Sequence, residues 1–156
     1  MRGSGGGGLE VLYLHQHFST PAGATGTRSF AMARALAARG HAVTVACGRY
    51  AGADTGLAGP FRSGRREGRV GAFGVVEFAI PCGNAQGLAA RAGAFARYAA
   101  RASALALSRR WDVVVASSTP LTAALPALAA RGARGTPFVF EIRDPWPELP
   151  RAMRVG

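Results

Sequence analysis

The chain has 156 residues, 49% of them hydrophobic and only 17% charged. That is enough for one domain with a sizeable core, too little for two, and too apolar for a chain disordered throughout. All 19 basic residues are arginines, set against 8 acidic ones for a net charge of +11. They are spread among alanines and glycines rather than gathered with aromatics, so a nucleic-acid partner is not expected, although Arg62, Arg65, Arg66 and Arg69 come closest to a patch.

Residues 1–8, MRGSGGGG, read as a flexible glycine-rich leader, which leaves 9–156 as the domain. LEVLYL at 9–14 predicts a short strand ending at His15, Gln16 and His17, and no signal-length apolar segment stands behind the leader. A loop with Pro21, Gly23 and Gly26 leads to a helix from about Arg28 to Arg39, capped at its start by Thr25 or Thr27 and at its end by Gly40. HAVTVAC at 41–47 is a second strand; 48–74, rich in glycine, reads as a long irregular connection with room for a hairpin; VVEFAI at 75–80 is a third strand. A long alanine-rich helix follows from about Leu88 to Arg110, then a strand at 111–116, a helix in PLTAALPALAARG that Pro126 bends or restarts, and a last strand at 137–142. Cys47 and Cys82 lie too far apart for a metal motif or a disulfide framework and are expected to be reduced at strand ends. No run approaches the roughly 18 apolar residues of a membrane span, so the expected location is the cytosol, with room for peripheral contact at the inner face of the membrane.

Alternation of strand and helix predicts an α/β fold: a Rossmann-like parallel sheet flanked by helices on both faces, with ligands gathering outside the carboxyl ends of the strands. Three strand exits carry polar clusters that would share this rim: His15-Gln16-His17, Ser117-Ser118-Thr119-Pro120 and Arg143-Asp144-Pro145-Trp146. The helix start after PAGATGTR offers unpaired amides to a phosphate or another anion, but its glycine spacing is not GxGxxG, and a chain without lysine has no Walker A loop. A free-standing dinucleotide oxidoreductase is therefore not expected. His15 and His17 alternate, and His41 sits near the opposite edge, so no metal site is expected; a neutral histidine bonded to a sugar hydroxyl or phosphate fits better. Ser117 and Ser118 suit capping and orienting. Glu141 and Arg143 fall on one side of the last strand, where Arg143 is expected to pair with Glu141, Asp144 or a ligand. Asp144 suits a base or a partner for an acceptor hydroxyl.

Three stretches, LYLHQHFSTP…GTRSFAMARALAARGHAVTV, SSTPLTAALPALAA and PFVFEIRDPWPELP, resemble in order the amino-terminal half of family 4 (GT-B fold) glycosyltransferases. The subgroup they resemble most is the bacterial one that builds surface polysaccharides on lipid-linked acceptors. The resemblance covers nearly all of 9–156 and implies the N-terminal, acceptor-side half of a GT-B fold. It implies that Gly23, Gly26, Thr27 and Arg28 lie close to the donor diphosphate, that Asp144, Arg143 and Glu148 line the acceptor side, and that His15 to His17 sit near the reacting groups. The family motif does not fix which of these is catalytic; our own assignment expects Asp144, His17 and Glu148 in catalysis and His15, Ser118, Thr119 and Arg143 in acceptor binding. The donor would be a nucleotide-sugar, with no further cofactor and no metal, and transfer would retain anomeric configuration. The sequence departs from the family in having Ala24-Thr25-Gly26 in place of a Gly-Gly pair and Pro145 in place of a leucine.

Such enzymes resemble two facing Rossmann-like domains, and 156 residues hold one. The expected partners are a separate C-terminal donor-binding domain, the nucleotide-sugar and a lipid-linked acceptor at the membrane surface. On that view the chain is truncated or split and inactive alone. A reading of a different class is a non-catalytic module that binds an anionic lipid-linked ligand or a partner domain without turnover.

Overall fold

The computed structural model describes residues 7–118 and 120–143. Six strands form one sheet: β1 Glu10–Leu14, β2 Ala42–Tyr50, β3 Arg65–Val70, β4 Phe73–Cys82, β5 Val113–Ser117 and β6 Phe138–Glu141, in the order β3-β4-β2-β1-β5-β6. All neighbours are parallel except β3, which pairs antiparallel with β4. Three α-helices connect them: α1 Arg28–Ala38, α2 Leu88–Ser108 and α3 Ala124–Arg134. This is the Rossmann-like α/β architecture expected from the alternation of elements, and it is consistent with the N-terminal half of a GT-B fold.

The strands bury both faces because their side chains alternate. Leu12 and Leu14 join Ala46, Phe78 and alanines of α2 and α3 in one core, while Val11 and Tyr13 join Val43, Val45, Phe73 and Ala33 of α1 in the other. Hence α1 covers one face and the α2/α3 pair covers the opposite one. The α2/α3 contact is built from small residues, with Ala94, Ala99, Ala102 and Ala106 buried on α2 and Ala127 and Ala130 on α3.

Several expectations shift by a few residues. The connection at 48–74 does contain the hairpin, since β3 and β4 flank a turn at Gly71 with φ +59°. Strand β4 starts at Phe73 and continues through Pro81 to Cys82. β2 runs on to Tyr50 through a register shift between Cys47 and Arg49. Gly48 makes this close approach possible, because a side chain there would sit 3.3 Å from the Ile80 carbonyl oxygen. Pro126 lies in the first turn of α3, preceded by a 3₁₀ turn at Leu121–Ala123, so the helix restarts rather than bends. Thr27 occupies the N-cap of α1, but its side chain makes no capping bond, and the Thr25 hydroxyl has no hydrogen-bond partner among the described residues. Both cysteines are free and buried.

Tyr98 anchors α2 to the sheet: its hydroxyl, wholly buried, donates to the Ala46 carbonyl at 2.6 Å. The same carbonyl also accepts the His15 amide at 3.1 Å, so removing the phenol leaves it bonded. Tyr98→Phe should lower unfolding free energy by about 1 kcal/mol in a urea melt with an unchanged slope; wild-type stability would show that this bond contributes nothing net.

Candidate active site

Strands β1 and β5 are neighbours whose connections leave in opposite directions, β1 through α1 to β2 and β5 through α3 to β6. A parallel sheet opens a crevice outside the carboxyl ends of such a pair. Here the crevice is a cleft of about 430 Å³ lined by His15, His17, Thr25, Gly26, Arg28, Tyr50 and Arg143. Two of the three polar strand exits therefore reach one cleft directly, and the third supports it from behind.

Glu141, at the end of β6, ties this rim together. Its carboxylate accepts the Ser117 hydroxyl of β5 at 3.0 Å and the Tyr13 hydroxyl of β1 at 3.3 Å, and forms an ion pair with Arg28 in the first turn of α1. Burial first, and then the Glu141 charge, push the Tyr13 phenol up to about 12, so it stays protonated and donating. Of the partners expected for Arg143, Glu141 is not one: among the described residues its carboxylate pairs with Arg28, and Asp144 lies outside them. The cause is local, because the chain turns out of β6 after Glu141 and the Arg143 amide donates to the Ser118 Oγ at 2.7 Å. That contact aims the Arg143 guanidinium at β1, where its Nη1 meets His15 Nε2 at 3.3 Å.

The His15 bond fixes a tautomer. Arginine can only donate, so Nε2 must accept, which puts the proton on Nδ1, 2.7 Å from the Ser29 Oγ. His15 is consequently a positioning residue for Arg143, with both ring nitrogens engaged. Burial, then the Arg143 charge, lower its pKa to about 3. His17 packs its ring against Tyr50 at 4.2 Å between centroids, and burial, then Arg91, then Arg143 lower its pKa to about 4. Both histidines are neutral at pH 7. Among the described residues, the permanent cations lining the cleft are Arg28 and Arg143, set beside the amino end of α1, whose dipole adds positive potential.

The other expected site residues divide. Gly26 faces the cleft, with the Arg143 guanidinium as the nearest group to a side chain built there, at 3.9 Å. Gly23 does not; its α-carbon packs into the 52–54 loop, where an added Cβ would come within 2.2 Å of Ser19 Oγ and 2.5 Å of the Asp54 nitrogen. Thr27 sits at the helix start without lining the cleft. Ser118 is buried and acts through the Arg143 backbone rather than facing a ligand. Asp144, Glu148 and Thr119, with Pro145 and Trp146, lie outside the described residues. Tyr50 and Ser29 were not foreseen; the glycine preceding Arg49-Tyr50 was the one available hint that β2 extends across His17.

A family model, described as the glycosyl transferase 4-like domain, matches residues 23–155. No curated protein matches the chain, and no solved structure does.

The two depressed histidines set the pH response. The unfolded chain takes up protons below the ordinary histidine value of 6.5, whereas folded His15 and His17 resist until about 3 and 4. Stability is therefore full above pH 6.5 and falls as pH drops through that window. For His15 the loss at pH 5 is on the order of 2 kcal/mol relative to neutral pH, and His15→Gln should flatten the slope measured by denaturant melts at pH 7.5 and 5. An unchanged slope would contradict the burial of a neutral ring. The two glycines should also separate: Gly23→Ala should cost about 1–3 kcal/mol by overpacking, while Gly26→Ala leaves the melting temperature near that of the wild type.

Proposed function

We propose, since the chain belongs to the glycosyl transferase 4-like domain family, that it forms the acceptor-side half of a glycosyltransferase that moves a sugar from a nucleotide-sugar to a lipid-linked polysaccharide precursor. Its place would be the cytosolic face of the membrane; among the described residues no helix is long and apolar enough to cross one. The observation that carries this reading is the electropositive cleft at the carboxyl ends of the parallel strands, where Arg28, Arg143 and the amino end of α1 meet two neutral histidines.

A leaving nucleoside diphosphate needs its developing negative charge met by groups already in place. Arg143 is held by His15 and Ser118, Arg28 by Glu141, and the Gly26 backbone leaves room for a phosphate to approach. Thr25 completes the same lining, with its hydroxyl buried behind the cleft surface. In the reaction an acceptor hydroxyl oxygen bonds to the anomeric carbon as the bond from that carbon to the phosphate oxygen breaks, with retention of configuration. The hydroxyl proton passes to Asp144, and the phosphate keeps the electron pair. His17, neutral and stacked on Tyr50, presents a hydrogen-bonding ring to the sugar or the acceptor. A second domain facing this cleft would hold most of the nucleotide and the donor sugar.

Transfer of labelled sugar from a panel of nucleotide-sugars to lipid extracts tests the reading, using the chain alone and together with a polypeptide carrying a donor domain. Transfer should appear in the combination. Arg143→Ala and Asp144→Asn should each lower kcat/KM by at least about tenfold with the fold intact by circular dichroism. Undiminished turnover in either variant would remove that residue from the site. Ligand binding without transfer in every combination would favour the non-catalytic module instead.

A further inference from the structure

Helix α3 is built inside out. Its core-facing positions carry small residues, Pro126, Ala127 and Ala130, whereas Leu125 and Leu128 point away and stand 51% exposed. Leu121, one turn earlier in the 3₁₀ segment, continues the stripe and is 64% exposed. At spacings of four and three these leucines share one side of the helix, opposite the buried one. The neighbouring helix α2 shows solvent another smooth apolar surface, with Ala92, Ala96, Ala100 and Ala104 all exposed, and Leu88 at its start 86% exposed. Scattered surface leucines need no explanation, but a continuous stripe on a helix whose core side is alanine does.

Charge identifies what covers it. From Gly83 to Phe140 the sequence holds seven arginines and a single acidic residue, Asp112. The Asp112 carboxylate is taken by the Glu10 amide at 2.8 Å, at the end of the sheet away from the cleft. Arg131 on α3 and Arg97 on α2 are exposed, and Arg101 is exposed while its guanidinium donates to the Ser63 carbonyl at 3.2 Å. A second copy docked through this face would set like charges against each other, whereas anionic headgroups complement them and accept leucines beneath.

We propose that the outer face of α2 and α3 is a docking surface for an anionic phospholipid bilayer, with Leu121, Leu125 and Leu128 entering the headgroup region and the flanking arginines contacting lipid phosphates. The inference deepens the lipid-linked reading of the cleft without depending on turnover, since docking requires neither donor nor acceptor.

Co-sedimentation of the chain with vesicles tests it. The chain should bind vesicles of phosphatidylcholine containing about one third phosphatidylglycerol, bind phosphatidylcholine alone weakly, and lose affinity as salt rises. The double substitution Leu125→Ser and Leu128→Ser should lower the partition coefficient at least about tenfold while leaving the thermal melt unchanged, because both side chains are half in water already. Arg131→Glu should weaken binding by roughly fivefold or more, and Arg39→Glu, an equal charge change at the end of α1 on the opposite face of the sheet, by much less. Equal losses for the two arginine variants, or indifference to the leucines, would reduce the effect to net charge and overturn the proposal. So would a concentration-dependent dimer in analytical ultracentrifugation that the leucine substitutions abolish, without vesicle binding. Transfer to a water-soluble acceptor analogue should survive the leucine substitutions, which separates failure of this face from failure of the cleft.

Discussion

One carboxylate holds the rim of this domain in register. Glu141 ends β6, yet its bonds go to β1, β5 and α1, so four elements distant in sequence converge on a single charge. The group is half-buried, where an unpaired carboxylate is costly and a three-partner one is stable. Everything that opens into the cleft is arranged around it. Arg28 is drawn across the mouth, the Ser118 hydroxyl is left available to Arg143, and Arg143 is thereby directed to His15. Losing the carboxylate would release an arginine at the amino end of a helix, where its charge opposes the dipole.

That opposition bears on the anionic ligand proposed for the cleft. A first helical turn without acidic residues and with an arginine at its start is unfavourable for an isolated helix. It becomes favourable when an anion with more charge than Glu141 can supply lies between the helix and the neighbouring arginine. The histidines do not share in this charge, since burial keeps them neutral and their role is geometry and hydrogen bonding. The positive potential of the cleft therefore rests on guanidinium groups, whose charge does not vary over physiological pH. A phosphate bound there as proposed would vary in affinity with its own protonation more than with that of the protein.

The parts of the fold legible in the sequence were those where one periodicity dominates. β1 and β5 are apolar runs between turn residues, and α2 is a long alanine series with no strong breaker. Strand β3 was not legible as such, because RREGRV is an edge strand whose exposed, charged side chains erase the alternation that would mark it. The shared rim was legible, since parallel strands put their exits on one side. Which partner each charge takes was not: Glu141 and Arg143 are two apart, but the choice of Arg28 depends on where α1 begins, and that is a property of the packed sheet. Gly23 and Gly26 look alike in the sequence and differ only in what lies next to them, a loop for one and the cleft for the other.

The alanine content of the helical layer ties stability to orientation. Small residues at the α2/α3 seam and against the sheet let backbones approach closely, so dispersion contacts replace long side chains as the source of cohesion. A core closed by alanine has no room for leucine, and the leucines of α3 can only face outward. Because α2 follows β4 and α3 follows β5, both helices start at the rim that carries the cleft. A surface lying along them is then about one helix diameter, roughly 10 Å, from the sheet and its crevice. An acceptor whose lipid end stays in that surface could place its polar end in the cleft without leaving it. On the proposed docking, the same packing economy that makes the layer thin sets the height of the site above the lipid.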